Sequence, residues 1–167
     1  MAADKGLLVG VLSDTHGYLY PSVKAELVGV DHIIHAGDVG SAEVLAELRL
    51  IAPVTVVRGN CDRDVWADDL PAQAELELGG IRFLVGHIRK RLMDGYDAES
   101  IADRYDVVVS GHTHRPALEE WEGVLDLNPG SAGPSRFGCP CTLARLRVGV
   151  GRNGAAVRAK IVYVDGE

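Results

Sequence analysis

The sequence predicts an α/β fold of two packed β-sheets, parallel to mixed in strand direction and flanked by helices. Three observations carry this reading. Short β-branched apolar runs recur up to Val109 and alternate with stretches of helical spacing, the pattern that builds parallel sheet. A Gly79-Gly80 pair separates two strand-like runs, which marks a hairpin and an antiparallel turn in the layer. Beyond Val109 the runs are strand-like with no further convincing helix, so a second sheet packed on the first is the expected outcome.

In chain order, Leu7 to Leu12 is apolar enough for a strand buried on both faces, and Ser22 to Val28 has helical spacing. His32 to Ile34 reads as the next strand. Ser41 then caps a helix over Ala42 to Leu50, because a serine oxygen can accept from the unpaired amides of the first turn. Strands follow at Val54 to Val57, Glu75 to Leu78 and Arg82 to Val85. Asp97 caps a helix over Ala98 to Tyr105, and Val107 to Val109 is a strand. Leu125 to Leu127, Thr142 to Val148 and Ala155 to Val164 complete the set, with Gly149 to Gly154 as a turn.

At 167 residues, 47% hydrophobic and 25% charged, the chain is expected to fold as a single domain over residues 1–167 and is not of disordered composition. Its apolar runs are far shorter than a bilayer span and its start holds no apolar secretion segment, so no membrane partner and a cytoplasmic location are expected. Three cysteines, Cys61, Cys139 and Cys141, do not suggest a disulfide framework. A net charge of −7 disfavours a surface that tracks long nucleic acid, while leaving room for a small local site. Composition leaves the oligomeric state open.

The potential metal ligands each follow an apolar strand. Asp14-Thr15-His16 comes after the first, Gly37-Asp38 after the second and Gly59-Asn60 after the third. His87 and Gly111-His112-Thr113-His114 follow the later two. Ligands bind at the carboxyl ends of strands in open α/β sheets because the loops converge there. Asp14/His16 and His112/His114 are spaced by two residues, which in extended backbone points both side chains the same way. One Asp-x-His means little; seven such side chains at one sheet edge point to a metal centre. Arg58, Arg63, Arg115 and the Arg89-Lys90-Arg91 run lie beside these positions and could form a basic rim for an anionic substrate, or a solvated charged loop.

These residues resemble the ordered signature of the calcineurin-like metallophosphoesterases: D-x-H, G-D, G-N-H-D/E, a single H, and G-H-x-H. The short length, the Asn60-Cys61-Asp62 variant and Asn128-Pro129-Gly130-Ser131 look like the family's small prokaryotic phosphodiesterase branch, the YfcE type. The resemblance implies a four-layer αββα sandwich and a phosphodiester hydrolase with two divalent ions, manganese foremost, with iron, nickel, cobalt or zinc also suited to these donors. It implies that Asp14, His16, Asp38 and His114 hold the first ion and that Asp38, Asn60, His87 and His112 hold the second. Asp38 then bridges them, and Asp38, Asn60 and His112 carry the catalytic work.

A bridging hydroxide of lowered pKa is expected to attack phosphorus in a small phosphorylated substrate, so Ser13, Ser110 and Ser131 are not assigned as nucleophiles. Cysteine at position 61 replaces the histidine that in the commoner motif donates a proton to the leaving oxygen. A thiol is a weak donor, so activated diesters should turn over better than esters with poor leaving groups. His32 and His35 match no ligand position and read as structural. The alternatives are a nucleotidase or phosphomonoesterase acting at the same site, and a non-catalytic scaffold like the retromer subunit that resembles this fold.

Overall fold

The computed structural model describes residues 5–151 and 154–166. The order of elements is β1 (Leu7–Leu12), α1 (Pro21–Glu26), β2 (His32–His35), α2 (Ala42–Ile51), β3 (Val54–Val56), β4 (Gln73–Leu78) and β5 (Ile81–Gly86). Then come α3 (Arg89–Met93), α4 (Ala98–Arg104), β6 (Val107–Val109), β7 (Ala117–Trp121), β8 (Val124–Asn128), β9 (Cys141–Gly151) and β10 (Gly154–Val164). They form two five-stranded sheets, ordered β10-β9-β1-β2-β3 and β4-β5-β6-β8-β7. β1, β2 and β3 run parallel, as do β5, β6 and β8, and the remaining pairings are antiparallel.

The period of two along each strand sorts side chains into layers. Val9 and Val11 of β1 meet Phe83 and Val85 of β5, Val107 and Val109 of β6, and Leu146 of β9 in the apolar layer between the sheets. The opposite face of the first sheet, with Leu12 and Ile33, packs under Val23 and Leu27 around α1 and Val44, Leu45 and Leu48 of α2. The outer face of the second sheet, with Leu84, Val108 and Val124, packs under Leu92 of α3 and Ile101 of α4. Helix, sheet, sheet, helix is therefore the layer order. Gly10 lets α1 approach β1, since a Cβ there would overlap the Leu27 side chain.

The helix caps are as expected: Ser41 accepts from the Val44 amide at 3.4 Å and Asp97 from the Ser100 amide at 2.8 Å. Other expectations need correction. The C-terminal strands do not build the second sheet by themselves: β9 pairs antiparallel with β1 in the first, and the second is made by β4 to β8. β1 lies buried, so its second edge needs a partner, and the alternating Ala144, Leu146 and Val148 of β9 supply an apolar face there. The turn expected over Gly149 to Gly154 is shorter, because the strands reach Gly151 and Gly154, and residues 152 and 153 lie outside the described residues. α1 stops at Glu26 rather than Val28 and begins at Pro21, whose fixed φ suits the first turn. β7 and α3 were not expected from sequence: β7 is largely exposed and charged, and α3 is a five-residue helix.

Candidate metal centre

The loops that follow β1, β2, β3, β5 and β6 meet at one edge and are laced together by their backbones. The amides of Asp14, His16 and Gly17 donate to the carbonyls of Gly37, Asp38 and Val39 at 3.0, 3.0 and 2.7 Å. The Gly111 amide donates to the His87 carbonyl at 2.9 Å. Asp62, expected only as part of the Asn60-Cys61-Asp62 motif, ties in the β3 loop: its carboxylate accepts from Gly59 and Gly40 at 2.9 Å and from Val39 at 3.2 Å. The loops leave no room for side chains at two crossings. A Cβ at Gly59 would overlap the Asp38 amide, and one at Gly111 would overlap the Ser13 hydroxyl.

Asp14, His16, Asp38, His112 and His114 all have positive φ, between 49° and 72°. This corrects the extended-backbone reading of the two spaced pairs. L-residues enter the left-handed region at a cost of about 1–3 kcal/mol each and persist there when the surroundings over-determine them, as this lacing does. It also parts the members of one pair. His112 Nδ1 lies 3.1 Å from Asn60 Oδ1, whereas His114 Nε2 lies 3.2 Å from Asp14 Oδ1 and 3.3 Å from His16 Nε2.

The cluster is centred on two carboxylates, each with one oxygen committed. Asp14 Oδ2 accepts from the Ser13 hydroxyl at 2.6 Å and the His112 amide at 3.0 Å. Asp14 Oδ1 is buried with no hydrogen-bond partner, 3.7 Å from His16 Nε2 and 3.9 Å from His87 Nε2. Asp38 Oδ1 accepts from the Cys61 amide at 2.8 Å, while Oδ2 faces His87 Nε2 at 3.3 Å and His16 Nε2 at 3.9 Å. His87 Nε2 also lies 2.9 Å from Asn60 Oδ1, and its Nδ1 is 2.7 Å from the Ala36 carbonyl. With Nδ1–H donating to that carbonyl, the Nε2 lone pair is turned into the cluster.

Burial alone would raise the Asp38 carboxyl, but the His87 contact and the Cys61 amide outweigh it and hold it well below the usual carboxylate range. His87 is the counterpart: burial opposes its charge, yet Asp38 and Asp14 raise its pKa overall. His16 is lowered, first by burial and then by the charge of Arg136.

A cation fits this donor set. An unpartnered buried carboxylate oxygen is expensive in a folded protein, and here it points into imidazole nitrogens rather than toward a cationic side chain. Asp14, His16 and His114 form one group whose donor atoms lie within 4.8 Å of one another, and Asp14, Asp38 and His87 form another. Mixed carboxylate, imidazole and amide donors suit divalent first-row ions.

The basic residues separate. Arg58 donates through Nε to the Asp62 carbonyl at 2.7 Å, and Arg63 to the Asn60 carbonyl at 3.2 Å, so both sit at the β3 loop. Arg115 is exposed just after His114. Arg89 departs from the expected rim: its guanidinium pairs with Asp126 at 2.6 and 2.7 Å, together with the Trp121 indole, and pins α3 to the second sheet. Asp126 sits in β8, out of reach of a sequence reading of the Arg89-Lys90-Arg91 run. Asn128 was expected only as part of a loop; its amide donates to the Gly111 carbonyl at 3.0 Å and to Thr113 at 3.1 Å, fixing the His112–His114 turn.

Comparison with known proteins finds relatives over most of the chain. Residues 7–150 match the model of the calcineurin-like phosphoesterase superfamily domain. A probable metallophosphoesterase of Methanothermobacter thermautotrophicus is 35% identical over 168 residues, spanning 93% of this chain and 92% of that one. A phosphodiesterase of Methanocaldococcus jannaschii is 30% identical over 139 residues, spanning 73% of this chain and 82% of that one. Among solved structures, an archaeal phosphodiesterase superposes with a TM-score of 0.71 at 25% identity, over 93% of this chain and 100% of that one. Vacuolar protein sorting 29 of Cryptosporidium parvum superposes with a TM-score of 0.73 at 21% identity, over 96% and 100% respectively, a likeness of fold.

Proposed function

Because this chain belongs to the calcineurin-like phosphoesterase superfamily, we propose that it is a metal-dependent phosphodiesterase acting on a small phosphorylated substrate at the cluster around Asp38. One observation carries the reading. Asp14 and Asp38 each spend one oxygen on hydrogen bonds and turn the other toward histidine nitrogens, and Asp14 Oδ1 is left buried with no hydrogen-bond partner, an arrangement suited to divalent cations. Asp14, His16, Asp38 and His114 would hold one ion, and Asp38, Asn60, His87 and His112 the other, with Asp38 shared. Bound there, the ions supply Lewis-acid neutralisation of phosphate oxygens and a source of nucleophilic water near neutral pH.

The chain's own residues set the rest. The Ala36 carbonyl and the Cys61 amide orient His87 and Asp38, so neither has to reorganise when an anion arrives. His112 is exposed while its Nδ1 faces Asn60, which places it at the mouth, where a phosphoryl oxygen would approach. Burial first and then the Asp38 carboxylate push the Cys61 thiol up, so it stays protonated and offers the leaving oxygen only a weak donor. Activated diesters are therefore the better substrates. Arg63, bonded to the Asn60 carbonyl, and Arg115, exposed next to His114, would attract the anionic substrate.

The test is hydrolysis of bis(4-nitrophenyl) phosphate with manganese, iron, nickel, cobalt or zinc, beside Asp38→Asn. Turnover in the wild type, lost by about 10²-fold or more in the variant, supports the proposal. A scaffold related to vacuolar protein sorting 29 only by fold would show no turnover with any metal. Cys61→His should improve monoesters relative to diesters, and an unchanged ratio of the two rates would remove the role given to position 61.

A further inference from the structure

We propose that the cavity beside Asn60 and His87 is a subsite for a second anionic group, so that the substrate is a phosphodiester with an oxyanion on one arm. This rests on the phosphodiesterase reading above and narrows its substrate class. The cavity has a volume of about 310 Å³ and is lined by Arg58, Asn60, Gln73, His87, Arg91 and Leu92, among others. It shares two of the proposed metal ligands and therefore opens directly from the reacting centre. Its size is near the lower bound of small-molecule sites, about 300 Å³, and suits one short arm rather than a polymer.

Its charge is the distinguishing feature. The protein carries a net charge of −7, yet two guanidinium side chains line this one cavity. Arg58 is held by the Asp62 carbonyl at 2.7 Å and lies 3.7 Å from Asp68. The Arg91 guanidinium makes no hydrogen bond or ion pair among the described residues; only the backbone carbonyl of this residue is engaged, by the Asp94 amide. Arg89, two residues earlier on the same short helix, is paired through Nε and one terminal nitrogen with Asp126. α3 thus divides its work: Arg89 anchors it to the second sheet, buried Leu92 packs beneath it, and Arg91 is left over the cavity with its donors unspent. A free guanidinium that shares a cavity with a second, oriented one suits a carboxylate or a phosphate, and Gln73 adds a neutral polar group.

Three probes separate the possibilities in manganese-loaded protein by calorimetry. Ethylphosphonate carries a neutral arm, 3-phosphonopropionate a carboxylate arm, and ethane-1,2-bisphosphonate a phosphate-like arm. At least one of the two doubly anionic probes should bind about tenfold more tightly than ethylphosphonate, equivalent to about 1.4 kcal/mol. The stronger of the two identifies the arm. The gain should fall to about threefold or less in Arg91→Ala and partly return in Arg91→Lys, with matching thermal midpoints showing that the variants fold. Equal affinities in the wild type would overturn the subsite, as would a gain that survives Arg91→Ala, which would come from chelation at the metals alone. Hydrolysis of bis(4-nitrophenyl) phosphate by the same wild-type sample keeps the two readings apart. Turnover without the gain removes only the subsite, and absence of turnover with every metal removes the phosphodiesterase reading beneath it.

Discussion

Ser13, not itself a proposed ligand, shows how the centre is tuned at the scale of single residues. Its hydroxyl donates to Asp14 Oδ2 at 2.6 Å and so fixes the direction of Oδ1. Ser13→Ala should leave the far-UV circular dichroism spectrum intact and weaken manganese binding by about 10–100-fold, as measured by competition with a chromogenic chelator. Protonation of His87 competes with a cation at Nε2. Because Asp38 and Asp14 raise its pKa above the ordinary 6.5, apparent manganese affinity should climb steadily from pH 6 to pH 8. His35 behaves oppositely. It is fully buried, accepts from the Gly37 amide at 3.1 Å and meets Thr15 at 3.0 Å, and burial pushes it down to about 3. Between that value and 6.5 the unfolded chain takes up a proton that the folded chain refuses. The stability it contributes is therefore complete above pH 6.5 and lost as pH falls toward 3, by at most about 1.4 kcal/mol per pH unit. Urea unfolding in chelator at pH 7 and pH 5 should show a shallower dependence for His35→Gln than for wild type, and parallel dependences would sink this account. The ligand-type residues were legible because each follows an apolar strand. Asp62 and Asn128 were not legible as organisers, because the contacts that tie separate loops together, Asp62 to Val39 and Gly40 and Asn128 to Gly111 and Thr113, join positions remote in sequence.

The loop crossings show at the scale of elements why the strand ends stay close. Gly59→Ala forces a Cβ into the Asp38 amide, so thermal melting should drop by more than the about 1–3 kcal/mol of ordinary overpacking, with loss of metal binding. Ser41→Ala, which removes one accepted hydrogen bond at the start of α2, should cost only about 1 kcal/mol and leave the centre intact. β1, β2, β5 and β6 were readable because burial on both faces demands continuous apolar runs. β7 escaped notice because its Leu118, Glu119 and Glu120 are exposed on an edge strand. The pairing of β9 with β1 was also beyond reach, since the choice of sheet depends on which edge is free in three dimensions. Left-handed backbone at Asp14, His16, Asp38, His112 and His114 has no local signal, because these residues are not glycine, and at the first four hydrogen bonds between separate loops fix the backbone.

Charge decides where the molecule as a whole attracts an anion. With a net charge of −7 the surface repels polyanions, and no helix among the described residues is long and apolar enough to cross a membrane. Divalent ions at the sheet edge would reverse the field locally and also tie together loops from both sheets. Manganese at a hundred times its dissociation constant should add about 2.7 kcal/mol of stability. For a chain of this size that is a rise in melting temperature of about 5–11 °C, reversed by chelator. The most direct test of the shared-carboxylate centre is the number of manganese ions bound per chain at saturation. Equilibrium dialysis with elemental analysis should find about two in the wild type and fewer in Asp38→Asn. A wild-type chain that binds none, or an Asp38→Asn variant that binds as many as the wild type, would contradict it.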